Sequence, residues 1–133
     1  ANLIDPHVKI GLSAGDGGAI IWPHLAGSAK AKRYLLTGKP ITGVEAERIG
    51  LVAEAVPAEQ LDATVDGIVA ELLAAGPLAV RMTKRSINMP LREALASLID
   101  AHLGIETMTF LSEDHREAVT AFAEKRAPQF RGV

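Results

Sequence analysis

Apolar residues recur with helical spacing through the second half of the chain. The longest stripe follows Pro57 at positions i, i+4, i+7, i+8, i+11 and i+12, which is one face of an amphipathic helix. Gly76 and Pro77 are expected to end this helix, and Pro77 to open another that runs to about Asn88. The stripe consists of Leu61, Val65, Ile68, Val69, Leu72 and Leu73.

Two more helices are predicted beyond that point. Pro90 opens a long helix, and a last helix begins at Ser112, where Glu113 and Asp114 suit the positive end of the helix dipole. Lys125 and Arg126 suit the opposite end of that dipole. The predicted buried face of the long helix comprises Leu91, Leu95, Leu98, His102 and Ile105.

The first part of the chain is more irregular. Val8, Ile10 and Leu12 alternate with polar or small residues and predict a strand, and 51–56 predicts a second one. Two short strands cannot form a stable sheet alone. We therefore expect these residues to be the latter part of a larger protein.

Short helices are predicted between those two strands. A Gly-rich loop at 14–18 leads into a helix that starts near Gly17, and Ser28 is expected to cap a helix over 29–36. Thr42 and Glu45 have the spacing of a capping box, with Gly50 placed to stop that helix.

Composition and charge exclude several classes of protein. The 133 residues carry a net charge of -2, which is unusual for a nucleic-acid-binding protein. There is no Cys, and the four His residues have no ligand spacing, so neither disulfides nor a metal site is predicted. No transmembrane span or signal peptide is recognisable, so we expect a soluble, cytoplasmic protein without a membrane partner. The hydrophobic fraction of 48% is high for so short a chain and indicates burial against a partner subunit or another part of the same protein, although a small Ala-rich domain can be equally apolar.

Candidate chemistry lies mainly in the first 16 residues. His7 and Asp5 would share a strand face, so that the carboxylate could orient the imidazole, although a structural His is the commoner case. Asp16 could be a general base or an ordinary turn residue. The Gly-rich loop could present backbone N–H groups to an anion, or it could be only a tight turn.

A second candidate lies at the end of the chain. Phe122 precedes Lys125 by three residues, which would place an aromatic ring and an ammonium group on one helix face, an arrangement suited to a phosphorylated adenine. Phe122 would equally fit a core position beside Val119.

Taken together, these residues resemble the enoyl-CoA hydratase/isomerase (crotonase) family, from residue 3 to about 130 without an internal gap. The resemblance covers only the C-terminal half of such a protein. It is carried by Asp5-Pro6-His7, Gly11, Ala14-Gly15-Asp16-Gly17-Gly18, Leu36-Thr37-Gly38, Ile41-Thr42, Glu45-Ala46, Gly50-Leu51-Val52, Glu113-Asp114, Ala121-Phe122 and Glu124-Lys125-Arg126.

The resemblance implies an α/β fold, the C-terminal part of a crotonase-like spiral of strand-strand-helix turns, mostly α-helical here with one or two short strands. Residues 1–57 would end the spiral core, and 58–133 would form the helical trimerisation region. The family's oxyanion hole, which stabilises a thioester enolate, and its first catalytic carboxylate would both lie in the other half. A homo-oligomer, as a trimer or a dimer of trimers, or the missing N-terminal half would then be the protein partner.

The same resemblance assigns the site residues. His7 stands where the hydratases have their second catalytic Glu, and Asp16 stands one residue after the position of the acid in related isomerases, which is Gly15 here. Phe122 and Lys125 match residues that reach the adenine and the ribose phosphate of CoA bound by a neighbouring subunit. We therefore predict His7 and Asp16 as catalytic residues and Gly15, Phe122 and Lys125 as substrate or CoA contacts.

The predicted function is that of an acyl-CoA enzyme that acts through enolate stabilisation. Enoyl-CoA hydratase is the first activity predicted, and isomerase is the second. Its partner is an acyl-CoA thioester, and no cofactor is predicted because coenzyme A is part of the substrate. The alternative is a catalytically silent helical module that keeps only CoA-contact and oligomerisation surfaces.

Overall fold

Helices dominate the computed structural model, which describes residues 1–133. Strands β1 (Asn2–Leu3) and β2 (Ile41–Thr42) pair antiparallel, with Asn2 opposite Thr42 and Leu3 opposite Ile41. Two 3₁₀ turns, at His7–Ile10 and Ala58–Gln60, complete the regular structure. The helices are α1 (Gly18–Ala26), α2 (Ser28–Leu35), α3 (Gly43–Arg48), α4 (Leu61–Ala74), α5 (Pro77–Ile87), α6 (Met89–Phe110) and α7 (Glu113–Ala123).

Both strands predicted from the sequence are wrong in position. The segment around Val8 forms the first 3₁₀ turn, because Pro6 adopts φ -92° and ψ 1° and Gly11, at φ +70°, ends the turn with its N–H on the carbonyl of His7. The segment at 51–56 does not pair either. The amides of Leu51 and Val52 donate to the carbonyl of Ala46, so the chain folds back over α3 instead of extending along a neighbour.

The predicted helices are present, and their ends show which capping signals operate. Thr42 caps α3, since its hydroxyl accepts from the N–H of Glu45 at 3.2 Å. The Glu45 carboxylate does not close the capping box; it accepts from the Tyr34 hydroxyl at 3.0 Å and pairs with Arg48. The predicted Ser28 cap is wrong, because Gly27 occupies the cap position and α2 already includes Ser28.

Ser112 is the cap of α7 and provides a stability test. Its hydroxyl accepts from the N–H of His115 at 3.1 Å and donates to the carbonyl of Thr109 at 2.7 Å. Ser112→Ala should lower the free energy of unfolding by about 1 kcal/mol, because the first turn of α7 loses its side-chain acceptor. Urea denaturation of the full-length protein measures this loss. Ser97→Ala is the matched control, since that exposed hydroxyl donates only to the carbonyls of Glu93 and Ala94 within α6. Equal losses in both variants would contradict the capping role.

Two small clusters form the core, and Trp22 packs against both of them. One holds Ala14, Ala31 and Leu35, and joins the loop before α1 to α2. The other holds Tyr34, Ile41 and Ala46, and joins α2, β2 and α3. Both clusters therefore lie in the first half of the chain, and α7 adds the buried Ala118 and Ala121.

The apolar stripe of α4 is not covered by any other element of these 133 residues. The predicted helix is confirmed, but its six stripe residues remain between 42% and 79% exposed, from Ile68 to Leu73. Its main contacts are the preceding 3₁₀ turn and α5. The 133 residues therefore leave this apolar stripe exposed.

The long helix α6 buries a face that only partly matches the predicted one, since Leu91, Leu95 and His102 are half-buried. Leu98 and Ile105 are 45% and 55% exposed, whereas Ile99 and Glu106 turn inward. The reason is that α6 packs on α1 and on the loop before it, a contact that spacing along α6 cannot specify. No single helix is long and apolar enough to span a membrane; 58–74 and 77–87 meet that requirement only as a pair, bent by 112°.

Candidate functional site

His7 and Asp5 form a side-chain pair at the start of the first 3₁₀ turn. Nδ1 of His7 lies 2.6 Å from Oδ1 of Asp5, which also accepts from the backbone N–H of His7 at 3.3 Å. An ionised carboxylate only accepts, so Nδ1 carries the proton. The pairing predicted from the sequence is therefore present, but a turn creates it rather than a strand face.

The surroundings of His7 favour its charged form. Burial lowers the pKa of the imidazole, but the hydrogen bond to Asp5 and the negative charges of Asp5, Asp16 and Glu106 raise it, and the net pKa lies above the ordinary 6.5. A raised folded-state pKa stabilises the fold below pH 6.5, and this stabilisation is lost as the pH rises through the folded-state pKa.

Two further carboxylates face the other ring nitrogen. Nε2 of His7 lies 3.5 Å from Oδ2 of Asp16 and 3.8 Å from Oε1 of Glu106. The Asp16 side chain is 57% exposed, whereas that of Glu106 is 10% exposed. The structure thus brings both predicted catalytic residues together and adds a third group, from α6.

Glu106 is the member of this cluster that the sequence analysis missed. One signal was available: it follows His102, placed on the inward face of its helix, by four residues, so the two side chains share that face. The functional meaning of this spacing depends on His7, which lies about a hundred residues earlier in the chain.

Gly15 lies where the loop touches α6. A Cβ at this position would lie 2.3 Å from the carbonyl oxygen of His102 and 2.7 Å from Cβ of Glu106, so only glycine permits this approach. The predicted role of Gly15 as a substrate contact stays a prediction. Because Gly15 has no side chain, α6 can approach the loop closely, and Glu106 then lies close to His7.

An open depression of about 310 Å³ lies beside the imidazole of His7. Glu106 is not one of the residues that line it. This volume lies at the lower end of the range found for small-molecule sites. Six of the lining residues are Asp5, His7, Asp16, Gly17, Ile21 and Trp22.

The cluster also has the spacing of a metal site. His7, Asp16 and Glu106 each offer one ligand atom, and these atoms lie within 4.8 Å of one another, which would fit a divalent cation bound by one nitrogen and two oxygens. The expectation that the protein uses no metal stays a prediction.

The second candidate site differs in geometry from the prediction. Phe122 is 86% exposed and Val119 is 56% exposed, so the core position proposed for Phe122 is wrong within these residues. Helix α7 ends at Ala123, and Lys125 follows it with φ +56°, so the two side chains do not share a helix face. A turn, and not helical spacing, therefore sets the direction of the Lys125 side chain. Their roles as CoA contacts stay predictions.

The chain belongs to the enoyl-CoA hydratase/isomerase family, whose model matches residues 1–133. Among curated relatives, it is 38% identical over 129 residues to the crotonyl-CoA hydratase of Syntrophomonas wolfei, covering 94% of this chain and 48% of that protein. The chain spans about half the length of the curated relatives it matches.

Solved structures agree with this assignment. An enoyl-CoA hydratase/isomerase from Mycobacterium paratuberculosis has a TM-score of 0.80 at 37% identity, covering 90% of this chain and 47% of that one. A carnitinyl-CoA dehydratase from Mycobacterium avium has a TM-score of 0.88 at 29% identity, covering 100% of this chain and 53% of that one. The predicted fold class, a mostly helical portion of the crotonase spiral with two short strands, is confirmed.

Proposed function

We propose that the full-length protein containing these residues hydrates 2-enoyl-CoA thioesters, with His7 as the proton donor to the α-carbon. The observation that carries this proposal is the His7–Asp5 pair. It stands where the resemblance places the second hydratase carboxylate, and it faces a depression of about 310 Å³. Membership of the enoyl-CoA hydratase/isomerase family supports an acyl-CoA thioester as the substrate.

The proposed reaction adds water across the double bond. The oxygen of water bonds to the β-carbon, the double-bond electrons move into the thioester to form an enolate, and the α-carbon then takes the proton from Nε2 of His7. Asp5 holds the Nδ1 proton, which fixes the orientation of the ring. The proton lost by water goes to a carboxylate, which the resemblance places outside these residues.

The assay is the loss of enoyl absorbance when crotonyl-CoA is mixed with the full-length protein. Turnover supports the hydratase. Conversion of a 3-enoyl-CoA to the 2-enoyl isomer without hydration would support the isomerase instead, with Asp16 as a candidate base at 3.5 Å from His7.

The second candidate is a catalytically silent module, and the exposed stripe of α4 is the observation that favours it. Such a module would bind CoA and oligomerise without turning over either substrate. In both readings we propose that copies of the protein form a trimer, that the protein is cytoplasmic, and that it needs no cofactor besides the CoA of its substrate. Light scattering of the full-length protein measures the oligomeric state.

Lys125 offers a test of the proposed CoA contact. Its left-handed backbone favours glycine, so Lys125→Gly removes the ammonium group while relieving the backbone. We expect KM for crotonyl-CoA to rise about tenfold, because a charge-assisted contact to phosphate is lost, with kcat and thermal stability preserved.

The matched control changes the substrate. Crotonyl-dephospho-CoA, which lacks the ribose phosphate, should show the same KM with the wild type and with Lys125→Gly. An equal rise in KM on both substrates would show that Lys125 does not contact that phosphate.

A further inference from the structure

Three side chains from distant parts of the chain converge on one point. Nε2 of His7 lies 3.5 Å from Oδ2 of Asp16 and 3.8 Å from Oε1 of Glu106, and the three atoms lie within 4.8 Å of one another. Nitrogen and oxygen atoms bound tetrahedrally to Zn²⁺ at about 2.0–2.2 Å are separated by about 3.3–3.6 Å. Two of the three separations are therefore close to those around a zinc ion, and the 57% exposed Asp16 side chain has room to adjust the third.

The hydrogen bond between His7 and Asp5 prepares the imidazole for metal binding. Because Oδ1 of Asp5 holds the Nδ1 proton at 2.6 Å, the lone pair of the neutral ring is on Nε2, the nitrogen that faces the two carboxylates. A carboxylate that accepts the other ring N–H is the usual outer partner of a metal-bound histidine, since it fixes the tautomer and the orientation of the ring. This observation is independent of the spacing of the three ligand atoms.

Glu106 is the ligand that most needs a cation. It is the one charged residue that the fold buries, its side chain is 10% exposed, and its carboxylate accepts no hydrogen bond from the protein. No Lys or Arg pairs with it, or with Asp5 or Asp16; the imidazole of His7 is the one basic group beside all three carboxylates. Burial of a carboxylate without such partners is unfavourable. A divalent ion bound to Oε1 would supply both a partner and the opposite charge.

Contacts outside the three ligand atoms hold the site in place. A Cβ at Gly15 would meet α6, so the loop that carries Asp16 packs directly on the helix that carries Glu106. The N–H of Ser13 donates to the hydroxyl of Thr109 at 3.1 Å, which joins the same loop to α6 a second time. Ligands that are already in position lose little conformational freedom on binding.

The site is open on one side. His7 and Asp16 line the depression of about 310 Å³, whereas Glu106 approaches from α6. An ion can enter from the depression, and water would complete its coordination, as in zinc sites with three protein ligands. One imidazole with two carboxylates favours a transition-metal ion, whereas Mg²⁺ and Ca²⁺ prefer oxygen ligands alone.

We propose that His7, Asp16 and Glu106 form a binding site for Zn²⁺, and that the bound ion reversibly inhibits hydration. Binding forms a bond between Zn²⁺ and Nε2, and a proton on that nitrogen is released to water, so His7 has no proton to donate to the α-carbon. The inhibition rests on the proposed function, whereas the binding does not. The sequence analysis predicted no metal because ligands at 7, 16 and 106 have no local spacing.

The test of binding uses the full-length protein, without an affinity tag, after dialysis against EDTA. Calorimetric titration with Zn²⁺ should show one ion per chain, and Co²⁺, as a spectroscopic substitute, should develop visible absorption with the same stoichiometry. Asp5→Asn should weaken binding about 10–100-fold, the usual effect of losing the outer partner of a metal-bound histidine. His7→Gln and Glu106→Gln should each weaken it about 100-fold or more, because each removes a ligand.

Asp100→Asn is the matched control, since it removes an exposed carboxylate from the helix that carries Glu106. It should bind Zn²⁺ as tightly as the wild type does. Because the ion binds the folded protein, Zn²⁺ should raise the thermal midpoint of the wild type and of Asp100→Asn, but not that of Glu106→Gln. The midpoint of each variant in EDTA shows that the variant is folded.

The test of inhibition follows the hydration of crotonyl-CoA in the same samples. Saturating Zn²⁺ should abolish the wild-type rate, and excess EDTA should restore it. Asp100→Asn should respond as the wild type does, whereas Glu106→Gln should need about 100-fold more Zn²⁺ for half-inhibition.

The proposal is overturned if the wild type binds neither Zn²⁺ nor Co²⁺ at micromolar concentrations. Binding that is as tight in His7→Gln and Glu106→Gln as in the wild type would place the ion elsewhere, and a preference for Mg²⁺ would contradict the choice of ion. Activity that needs added Zn²⁺ and disappears in EDTA would overturn the inhibition. A wild type without hydration in EDTA would end the proposed function alone, because calorimetry and the Co²⁺ spectrum need no turnover.

Discussion

Replacement of His7 by glutamine is expected to lower kcat for crotonyl-CoA hydration by about 10²–10⁴-fold, the usual contribution of a positioned acid–base group. KM should change little, because Gln keeps the approximate shape of the side chain. The wild-type kcat should fall as the pH rises through the pKa of His7, which lies above 6.5, since only the protonated imidazole can donate. The variant should lack that alkaline limb.

The control for this experiment is His24→Gln. His24 is exposed on α1 and should give wild-type kinetics at every pH. Unchanged activity of His7→Gln across the whole profile would exclude His7 as acid or base and would leave Asp16 as the remaining predicted catalytic residue.

Gly15→Ala is expected to destabilise the protein by about 1–3 kcal/mol, the usual cost of overpacking. The added Cβ would lie 2.3 Å from a backbone oxygen of α6, so the loop and the helix must separate. The thermal midpoint should therefore fall.

Gly104→Ala is the matched control, at a glycine inside α6. Nothing lies within 4 Å of a Cβ at Gly104, and alanine favours a helix interior over glycine by about 0.5–1 kcal/mol. Calorimetry should therefore show opposite shifts for the two variants. A Gly15→Ala midpoint equal to that of the wild type would mean that the close packing of the loop on α6 does not limit stability.

Local signals predicted most of the secondary structure. In the cluster around His7 they predicted Asp5 and Asp16 but not Glu106. The helix that starts near Gly17, the Thr42 cap and the Pro-initiated helices depend on residues within one turn of one another, and all were found. The His7–Asp5 pair is local in the same sense. The strands were misplaced because alternation at 8–12 matched a turn fixed by Pro6 and Gly11.

The rest could not be predicted because it depends on residues far apart in the chain. Spacing along α6 selects a face only approximately, so Leu98 and Ile105 were placed inward and Glu106 was missed. Similarly, spacing placed Phe122 and Lys125 on one helix, whereas α7 ends between them.

By itself, the sequence determined the family, the helical character of the second half and the pairing of His7 with Asp5, because these follow from local patterns and quoted motifs. Only the tertiary structure decided which groups surround Nε2 of His7. Asp16 reaches it from the loop and Glu106 from a helix about a hundred residues later, and the two meet because Gly15 has no side chain to keep α6 away. Electrostatic interactions depend on distance in space, which a linear pattern does not encode.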